Sequence, residues 1–371
     1  MRSLFILPLL ALSVCISSAS GQVATTVFTS TGTMLTPREG HTATLLKNGK
    51  VLVVGGMHWT TACPLGCTPQ LSALASAELY DPATGKFIQT GKMSVRRVFH
   101  SATLLSSGKV LVAGGDNRSG ITFDSAELYD PATGIFTVIG NKMTIKRSAH
   151  TATRLANGKV LIAGGGTGGT TSTAEIFDPA TKTFTPTGHM HVGRYFFTAT
   201  LLGNGRVLVA GGGGSSPSSA ELFNPATGTF ALTGSMSFER ILHAATVLTN
   251  GAVLITGGAN ATGVLAAAEL YHPSTGLFKQ TGSMQSRRER HTATRLSDGT
   301  VLVAGGTNGS STLSSAELFD PTSGSFTPAG KMETVRAEHA AALLANGGVL
   351  ITGGINTNGA LKSLATAELF H

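Results

Sequence analysis

Seven copies of one pattern fill most of this chain, and each copy carries two adjacent glycines. The pattern opens with Arg-x-x-His or a close variant, passes through an apolar run that ends in Gly-Gly, and continues with an Ala-Glu segment. Intervals of roughly 50 residues are typical of architectures in which each repeat packs only on its neighbours. We therefore expect one domain over residues 22–371. The glycine pairs are Gly55/Gly56, Gly114/Gly115, Gly164/Gly165, Gly211/Gly212, Gly257/Gly258, Gly305/Gly306 and Gly353/Gly354.

One repeat is predicted to form four antiparallel strands. In the second repeat, residues 100–105 and the apolar run 110–113 flank Ser-Gly-Lys, which indicates a hairpin. The run 110–113 is apolar at every position, as in a strand that is buried on both faces. Residues 125–131 form the third strand, which ends at an Asp-Pro turn, and residues 135–138 form the fourth.

The number of strands predicts how the repeats close into a ring. The last repeat ends in its third strand at Phe370, with no fourth strand after it. Residues 27–34 have the aromatic-to-Gly-x-Met form of a fourth strand. The sequence therefore predicts an all-β fold, a seven-bladed β-propeller of four-stranded antiparallel blades whose last blade is closed by the N-terminal strand.

These repeats resemble kelch repeats from about Phe28 to the C-terminus. The resemblance rests on the Arg-x-x-His start, the Gly-Gly pair, the third strand with Glu and an aromatic residue, and the aromatic residue of the fourth strand. Kelch repeats usually have Trp at that last position, and phenylalanine there resembles bacterial members similar to the central propeller of galactose oxidase. The phenylalanines are Phe87, Phe136, Phe184, Phe230, Phe278 and Phe326.

The first 21 residues are interpreted as an export signal. A charged start at Arg2 is followed by an apolar run and then by small residues, and the run is too short to span a membrane. We therefore expect a secreted protein, extracellular or periplasmic, that does not span the membrane. The mature chain keeps Cys63 and Cys67, which we expect to form a disulfide, because a zinc site would need further ligands.

The net charge of +8 is spread thinly, since charged residues make up 12% of the chain and form no long basic run. This distribution argues against nucleic acid as a partner. We expect a monomer that requires no cofactor. The sequons at Asn117, Asn260 and Asn308 would matter only in a eukaryotic secretory pathway.

Binding is expected on the face that carries the loops between second and third strands, because these loops vary while the other turns repeat. The same face receives seven arginines, which could form a basic collar for carboxylate or sulfate groups. We favour a structural role instead, in which the repeated arginine or histidine pairs with a repeated buried glutamate. The arginines are Arg38, Arg97, Arg147, Arg194, Arg240, Arg288 and Arg336.

Departures from the repeat are the better candidates for a binding site. Phe197 replaces the histidine of the other repeats and follows Tyr195, while Trp59 and Arg118 lie in variable loops. Aromatic and arginine side chains on loops are typical of recognition surfaces, and packing of Phe197 near the axis and of Trp59 on its own loop is the alternative. His189 and His191 could point to one side of a strand, but they lack a third metal ligand.

Two classes of function remain open. The resemblance to galactose oxidase suggests a copper oxidase, which the scarcity of free tyrosines and separate cysteines disfavours. A sugar epimerase or mutarotase would need an acid and a base, for which Arg118, Glu239, Glu289 and Glu338 lie near the correct face but show no distinctive spacing. We assign no catalytic residue and no metal ligand. We favour a noncatalytic propeller that binds a glycan or a secreted or cell-surface protein through its variable loops.

Overall fold

The computed structural model describes residues 27–60, 70–359 and 361–371. It confirms the predicted all-β fold, with seven four-stranded antiparallel sheets as the blades, numbered here in chain order of their first strands. The signal peptide and the Cys63–Cys67 disulfide that we expect from the sequence lie outside the described residues. Within the described part of the chain, no helix is long and apolar enough to cross a membrane.

The strands recur at the positions that the repeat predicts. The first strands are Thr42–Leu45, Ser101–Leu104, Thr151–Arg154, Thr198–Leu201, Ala244–Val247, Thr292–Arg295 and Ala340–Leu343. The second strands are Val51–Val54, Val110–Ala113, Val160–Ala163, Val207–Ala210, Val253–Thr256, Val301–Ala304 and Val349–Thr352. The third strands are Ala77–Asp81, Ala126–Asp130, Ala174–Asp178, Ala220–Asn224, Ala268–His272, Ser315–Asp320 and Ala367–Phe370. The fourth strands are Lys86–Gln89, Ile135–Val138, Thr183–Pro186, Thr229–Leu232, Leu277–Gln280, Ser325–Lys331 and Phe28–Ser30.

Three short hairpins extend the loops that follow the second strands of blades 1, 5 and 7. Their strands are Met57–Thr60 with Gln70–Ala73, Ala259–Asn260 with Gly263–Val264, and Ile355–Asn356 with Lys362–Ser363. These hairpins stand on the same face as the links between blades. They make that face irregular, whereas the tight turns at the opposite end of the blades are nearly alike.

The N-terminal strand closes the ring, as the sequence predicts. Phe28–Ser30 pairs antiparallel with Ala367–Phe370, and Phe28 lies opposite Phe370 with ring centroids 5.0 Å apart. This pairing gives blade 7 its fourth strand and covers what would otherwise be a free edge. The first strands of adjacent blades contact one another around the axis, and the first strand of blade 7 contacts that of blade 1.

The core of each blade lies around its second strand. All residues of these strands are buried, from Val51–Val54 in blade 1 to Val349–Thr352 in blade 7. Such a strand is covered by the adjacent blades on both faces, which explains why it is apolar at nearly every position and does not alternate. The repeated apolar runs therefore reflect the packing of each blade between its two neighbours.

A buried arginine–glutamate pair joins the parts of every blade. In blade 3, Arg147 contacts Glu175 of the third strand at 2.8 Å and donates to the carbonyl of Gly164, at the end of the second strand, at 2.9 Å. The other oxygen of Glu175 accepts from the backbone N of Thr144, in the link from blade 2. Both charges of the pair are buried and hydrogen-bonded, as a buried charge requires.

The second glycine of each pair connects one blade to the next. The backbone N of Gly165 in blade 3 donates to the carbonyl of Arg194 in blade 4 at 2.7 Å, and that of Gly354 donates to Arg38 at 2.9 Å, which closes the ring. Gly165 has a φ of 82°, and a Cβ there would lie 2.6 Å from the carbonyl oxygen of Ser148. Only glycine satisfies both the conformation and the close approach.

Replacing one arginine of these pairs should destabilise the protein strongly. Arg240→Met leaves Glu269 buried without its partner, and we expect the free energy of unfolding to fall by about 3–5 kcal/mol. Urea unfolding measures this change. Lys109→Met, which breaks the exposed pair with Asp130, is the control and should cost less than about 1 kcal/mol. Equal losses in the two variants would contradict the structural role of the buried pair.

Candidate functional site

The variable loops and the links between blades emerge side by side. Backbone bridges join the residue after each inter-blade arginine to the start of the loop in the same blade, as in Val98 to Asp116 and Tyr195 to Gly213. The loops therefore begin at the mouth of the central channel. This arrangement brings the variable residues of several blades to one face.

A ring of seven residues surrounds that mouth, and we call it the mouth ring. Each member precedes the histidine position of its blade and has a left-handed backbone, with φ between 48° and 60°. Backbone hydrogen bonds link successive members, such as Ala149 N to Phe99 O at 3.0 Å and Glu338 N to Arg290 O at 3.1 Å. Non-glycine residues rarely adopt this conformation, and such strain is concentrated at functional sites. The members are Gly40, Phe99, Ala149, Phe196, Leu242, Arg290 and Glu338.

The mouth ring has a fixed backbone but unequal sides. Phe99, Ala149, Phe196 and Leu242 form an apolar side, and the Phe99 and Phe196 rings meet edge to face with centroids 5.2 Å apart. On the other side Arg290 and Glu338 form an ion pair. A ligand at this mouth would meet aromatic surface on one side and charge on the other.

Two cavities open at the mouth ring. The central cavity has a volume of about 320 Å³ and lies between the mouth ring and the repeated histidines. The side cavity has a volume of about 410 Å³ and lies between the loops of blades 2 and 3. Phe99, Ala149 and Phe196 line both, so the two cavities adjoin across the apolar side of the mouth ring.

The structure brings Arg118 and Tyr195 together in the side cavity, although they are far apart in sequence. The Arg118 guanidinium carbon lies 5.8 Å from the centroid of the Phe99 ring, and the backbone N of Arg118 donates to Asp116. Tyr195 is 37% exposed, and its ring contacts Phe196 at a centroid distance of 5.6 Å. These side chains combine aromatic surface with hydrogen-bond donors on an open wall.

Trp59 lies apart from these residues. It belongs to the hairpin of blade 1, where it is half-buried, and its backbone N donates to the Oγ of Ser363 in the hairpin of blade 7 at 3.0 Å. Trp59 lines neither the central nor the side cavity. Its loop therefore leans toward blade 7 and away from Arg118 of blade 2.

The seven inter-blade arginines do not form a basic collar. Each is at most 1% exposed, and each guanidinium is paired with the third-strand glutamate of its own blade. Their charges are directed into the blades because the repeated glutamates lie there. This pairing with buried glutamates is the structural role that the sequence analysis favours for the arginines.

The repeated histidines join neighbouring blades. His150 Nε2 contacts Ser101 Oγ of the preceding blade at 2.9 Å, and His41 Nε2 contacts Thr352 Oγ1 at 2.9 Å. Burial, together with the nearby arginines, lowers the pKa of His150 to about 3, so this imidazole is neutral in the folded protein. The pKa values of His41, His100, His243, His291 and His339 are lowered in the same direction.

Phe197 occupies the histidine position in blade 4. It is 6% exposed and packs in an apolar cluster with Met190 and Val209, while one edge lines the central cavity. Its ring lies against Gly164, as the imidazoles do against the first glycine of other blades. Phe197 therefore fills the same space without the polar contact.

Of the glutamates near the mouth, sequence reasoning named Glu289 and Glu338 but missed Glu39. Glu39 is 1% exposed, and burial raises its pKa to about 7 against the opposing charges of Arg290 and Arg118. Of the glutamates considered for acid–base chemistry, Glu338 lines the central cavity, while Glu239 is exposed and lines neither cavity. Burial raises the pKa of Glu289. The sequence indicates these mouth residues only through the variable residue types between each repeated arginine and the following histidine position.

Among the residues that the structure describes, no three His, Cys, Asp or Glu side chains come together as a metal site. His191 is engaged through Nδ1 with the buried Glu221 at 2.9 Å, so the pair His189 and His191 gains no third ligand.

Comparison with known proteins identifies the repeat. A family model described as the kelch motif matches residues 290–333. The fold is similar to that of a fungal alcohol oxidase of the AA5 family, solved in complex with copper, with a TM-score of 0.72 and 19% identity over 93% of this chain and 75% of that one. The chain thus forms a seven-bladed propeller that carries a kelch motif at residues 290–333, and its fold is similar to that of this oxidase. A search of curated proteins finds no match in sequence.

The residues that the structure describes do not fit a copper ion. The donors that copper prefers are imidazole nitrogens and sulfur, supplied by several side chains around one point. The described residues provide no such group of three, and the imidazoles of the repeated histidines are directed between blades.

The buried histidines should make the stability depend on pH. Because their folded pKa values lie below the ordinary 6.5, only the unfolded chain gains protons as the pH falls from about 6.5 toward 3, and stability is lost across that range. Each histidine contributes up to about 1.4 kcal/mol per pH unit. In His150→Phe, which has the residue type of blade 4, urea unfolding at pH 7 to 5 should show a smaller dependence of the unfolding free energy on pH, by an amount that approaches one proton near pH 5. An unchanged pH dependence of the unfolding free energy would contradict the view that His150 is neutral in the folded protein.

Proposed function

We propose that this chain is an exported, monomeric, noncatalytic propeller that binds a glycan at the side and central cavities of its variable face. The observation that carries the proposal is the convergence of Arg118, Tyr195, Phe99 and Phe196 around one open cavity. Sugar rings stack on aromatic side chains, and their hydroxyls take up the hydrogen bonds that polar groups on the wall offer.

The polar groups of the side cavity support this proposal. Thr122, Ser148 and Thr170 line the same space as Tyr195, so the cavity wall carries both hydroxyl and aromatic groups. With a volume of about 410 Å³, the side cavity has room for one or two sugar residues, while the adjoining central cavity offers space for an extension. The site is concave and open, which suits a chain of sugars that enters from solvent.

A noncatalytic role is favoured over a sugar epimerase or mutarotase. Such an enzyme needs an acid and a base on opposite sides of one substrate atom. Among the residues that line the central cavity, Glu338 is the sole carboxylate, and Arg290 holds it in an ion pair. Asp116 of the side cavity accepts hydrogen bonds from Ser148 and from the backbone of Arg118.

A secreted or cell-surface protein is the second candidate partner. Ile121, in the loop that carries Arg118, is 52% exposed, and Tyr195 of the side cavity is also exposed. Exposed apolar and aromatic side chains around an arginine are typical of protein recognition sites. A protein partner would cover this loop rim, whereas a glycan would enter the side cavity.

Binding should depend on Tyr195 and Arg118. Neutral and acidic oligosaccharides are first screened for a rise in melting temperature, since any ligand of the native state stabilises it. For a glycan found this way, Tyr195→Ala and Arg118→Ala should each weaken binding about tenfold in calorimetric titration, which corresponds to about 1.4 kcal/mol.

Two variants serve as matched controls. Leu232→Ala removes a 61% exposed side chain from the same blade as Tyr195, and Arg206→Ala removes an exposed arginine at the opposite end of that blade. Both should bind as the natural protein does. A glycan that binds all four variants equally would place its site elsewhere, and turnover of a bound sugar would contradict the noncatalytic role.

A further inference from the structure

Arg118 differs from the inter-blade arginines and from Arg290 because no carboxylate of the described residues pairs with it. The inter-blade arginines are paired with glutamates, and Arg290 is paired with Glu338. Arg118 is exposed, lines the side cavity and forms no ion pair with a carboxylate of the described residues. The side cavity therefore offers a guanidinium with free donors.

Hydrogen bonds to Asp116 hold the loop that carries Arg118. Its backbone N donates to Asp116 Oδ1 at 3.0 Å, while Ser148 Oγ donates to Asp116 Oδ2 at 2.6 Å. Both oxygens of Asp116 are thus used within the protein, and they hold the loop to the link of blade 3. The guanidinium lies over the Phe99 ring, a contact that restricts its motion without occupying its N–H groups.

Two glycines leave open space in the side cavity. Gly168 and Gly169 line the side cavity, and a Cβ at either position would meet nothing within 4 Å. Tyr195 lines the same cavity. The side cavity therefore has open space for a sugar ring that carries a charged substituent.

Electrostatics near the cavity favour a negative group. Glu39 is the buried carboxyl that interacts with both Arg118 and Arg290, and burial raises its pKa to about 7. It is therefore incompletely ionised at neutral pH and offsets the positive charge of Arg118 only in part. Asp116 is the acidic group on the cavity wall itself, with its oxygens directed into the loop contacts.

We propose that the sugar residue bound in the side cavity carries a carboxylate, which Arg118 binds through paired hydrogen bonds. Arginine is well suited to this task because its planar fork matches the two carboxylate oxygens, and such charge-assisted bonds are stronger than neutral ones. This inference rests on the proposed function. It narrows the ligand from glycans in general to acidic sugars.

The test compares acidic glycans with their methyl esters, which keep the size but remove the charge. The probes are oligogalacturonate, hyaluronan oligosaccharides and sialyllactose, each with its methyl ester, and a neutral oligosaccharide of similar length. At least one acid should bind ten- to a hundredfold more tightly than its ester, as expected for a hydrogen-bonded charge. Arg118→Gln should abolish this preference, and Arg118→Lys should retain part of it.

Further variants keep the result decisive. Arg206→Gln removes an exposed arginine at the opposite face and should leave the preference intact. Gly169→Leu should block the side cavity, since this position has open space and no left-handed φ. Circular dichroism and the melting temperature check that each variant is folded.

The outcomes separate the two proposals. An acid and its ester that bind equally well, with Arg118→Gln weakening both alike, would overturn the carboxylate inference and leave glycan binding in place. Binding of the neutral oligosaccharide alone would do the same. Absence of binding by every acidic and neutral probe would overturn both.

Discussion

The buried arginine–glutamate pair is the interaction on which the rest of this propeller depends. The guanidinium of each arginine joins the second and third strands of its blade. The backbone carbonyl of the same arginine accepts a hydrogen bond from the second glycine of the preceding blade, as in Arg194 and Gly165. The paired glutamate in turn accepts from the link that enters the blade. Burying two charges is costly, so the pair is better understood as fixing the geometry of strands and blades than as adding net stability.

This scaffold frees the mouth of the channel to vary. Because arginine, glutamate and the glycine pairs hold each link in place, the residue before each histidine keeps a left-handed backbone whatever its side chain. The mouth ring can then carry Phe99 on one side and Glu338 on the other without changing the fold. Residues that are repeated in every blade form the scaffold, and residues that differ between blades at equivalent positions form the candidate site.

Much of the fold could be predicted from the sequence, because the repeat records contacts that every blade needs. The four strands per blade and the closure by Phe28–Ser30 follow from the order and number of these segments. The mouth ring was missed, since its identities run from Gly40 to Arg290 and no shared residue type signals the strained backbone. Trp59 and Arg118 looked equivalent, and only the tilt of the blade 1 hairpin toward Ser363 separates them.

The most direct test of the account is hydrogen exchange of the protein with and without the bound glycan. The account predicts that protection on binding is confined to residues 116–122, residues 166–171 and the mouth ring, with the tight turns at the opposite end of the blades unchanged. Protection at those turns, or uniform protection around all seven blades, would contradict the claim that the variable face holds the site.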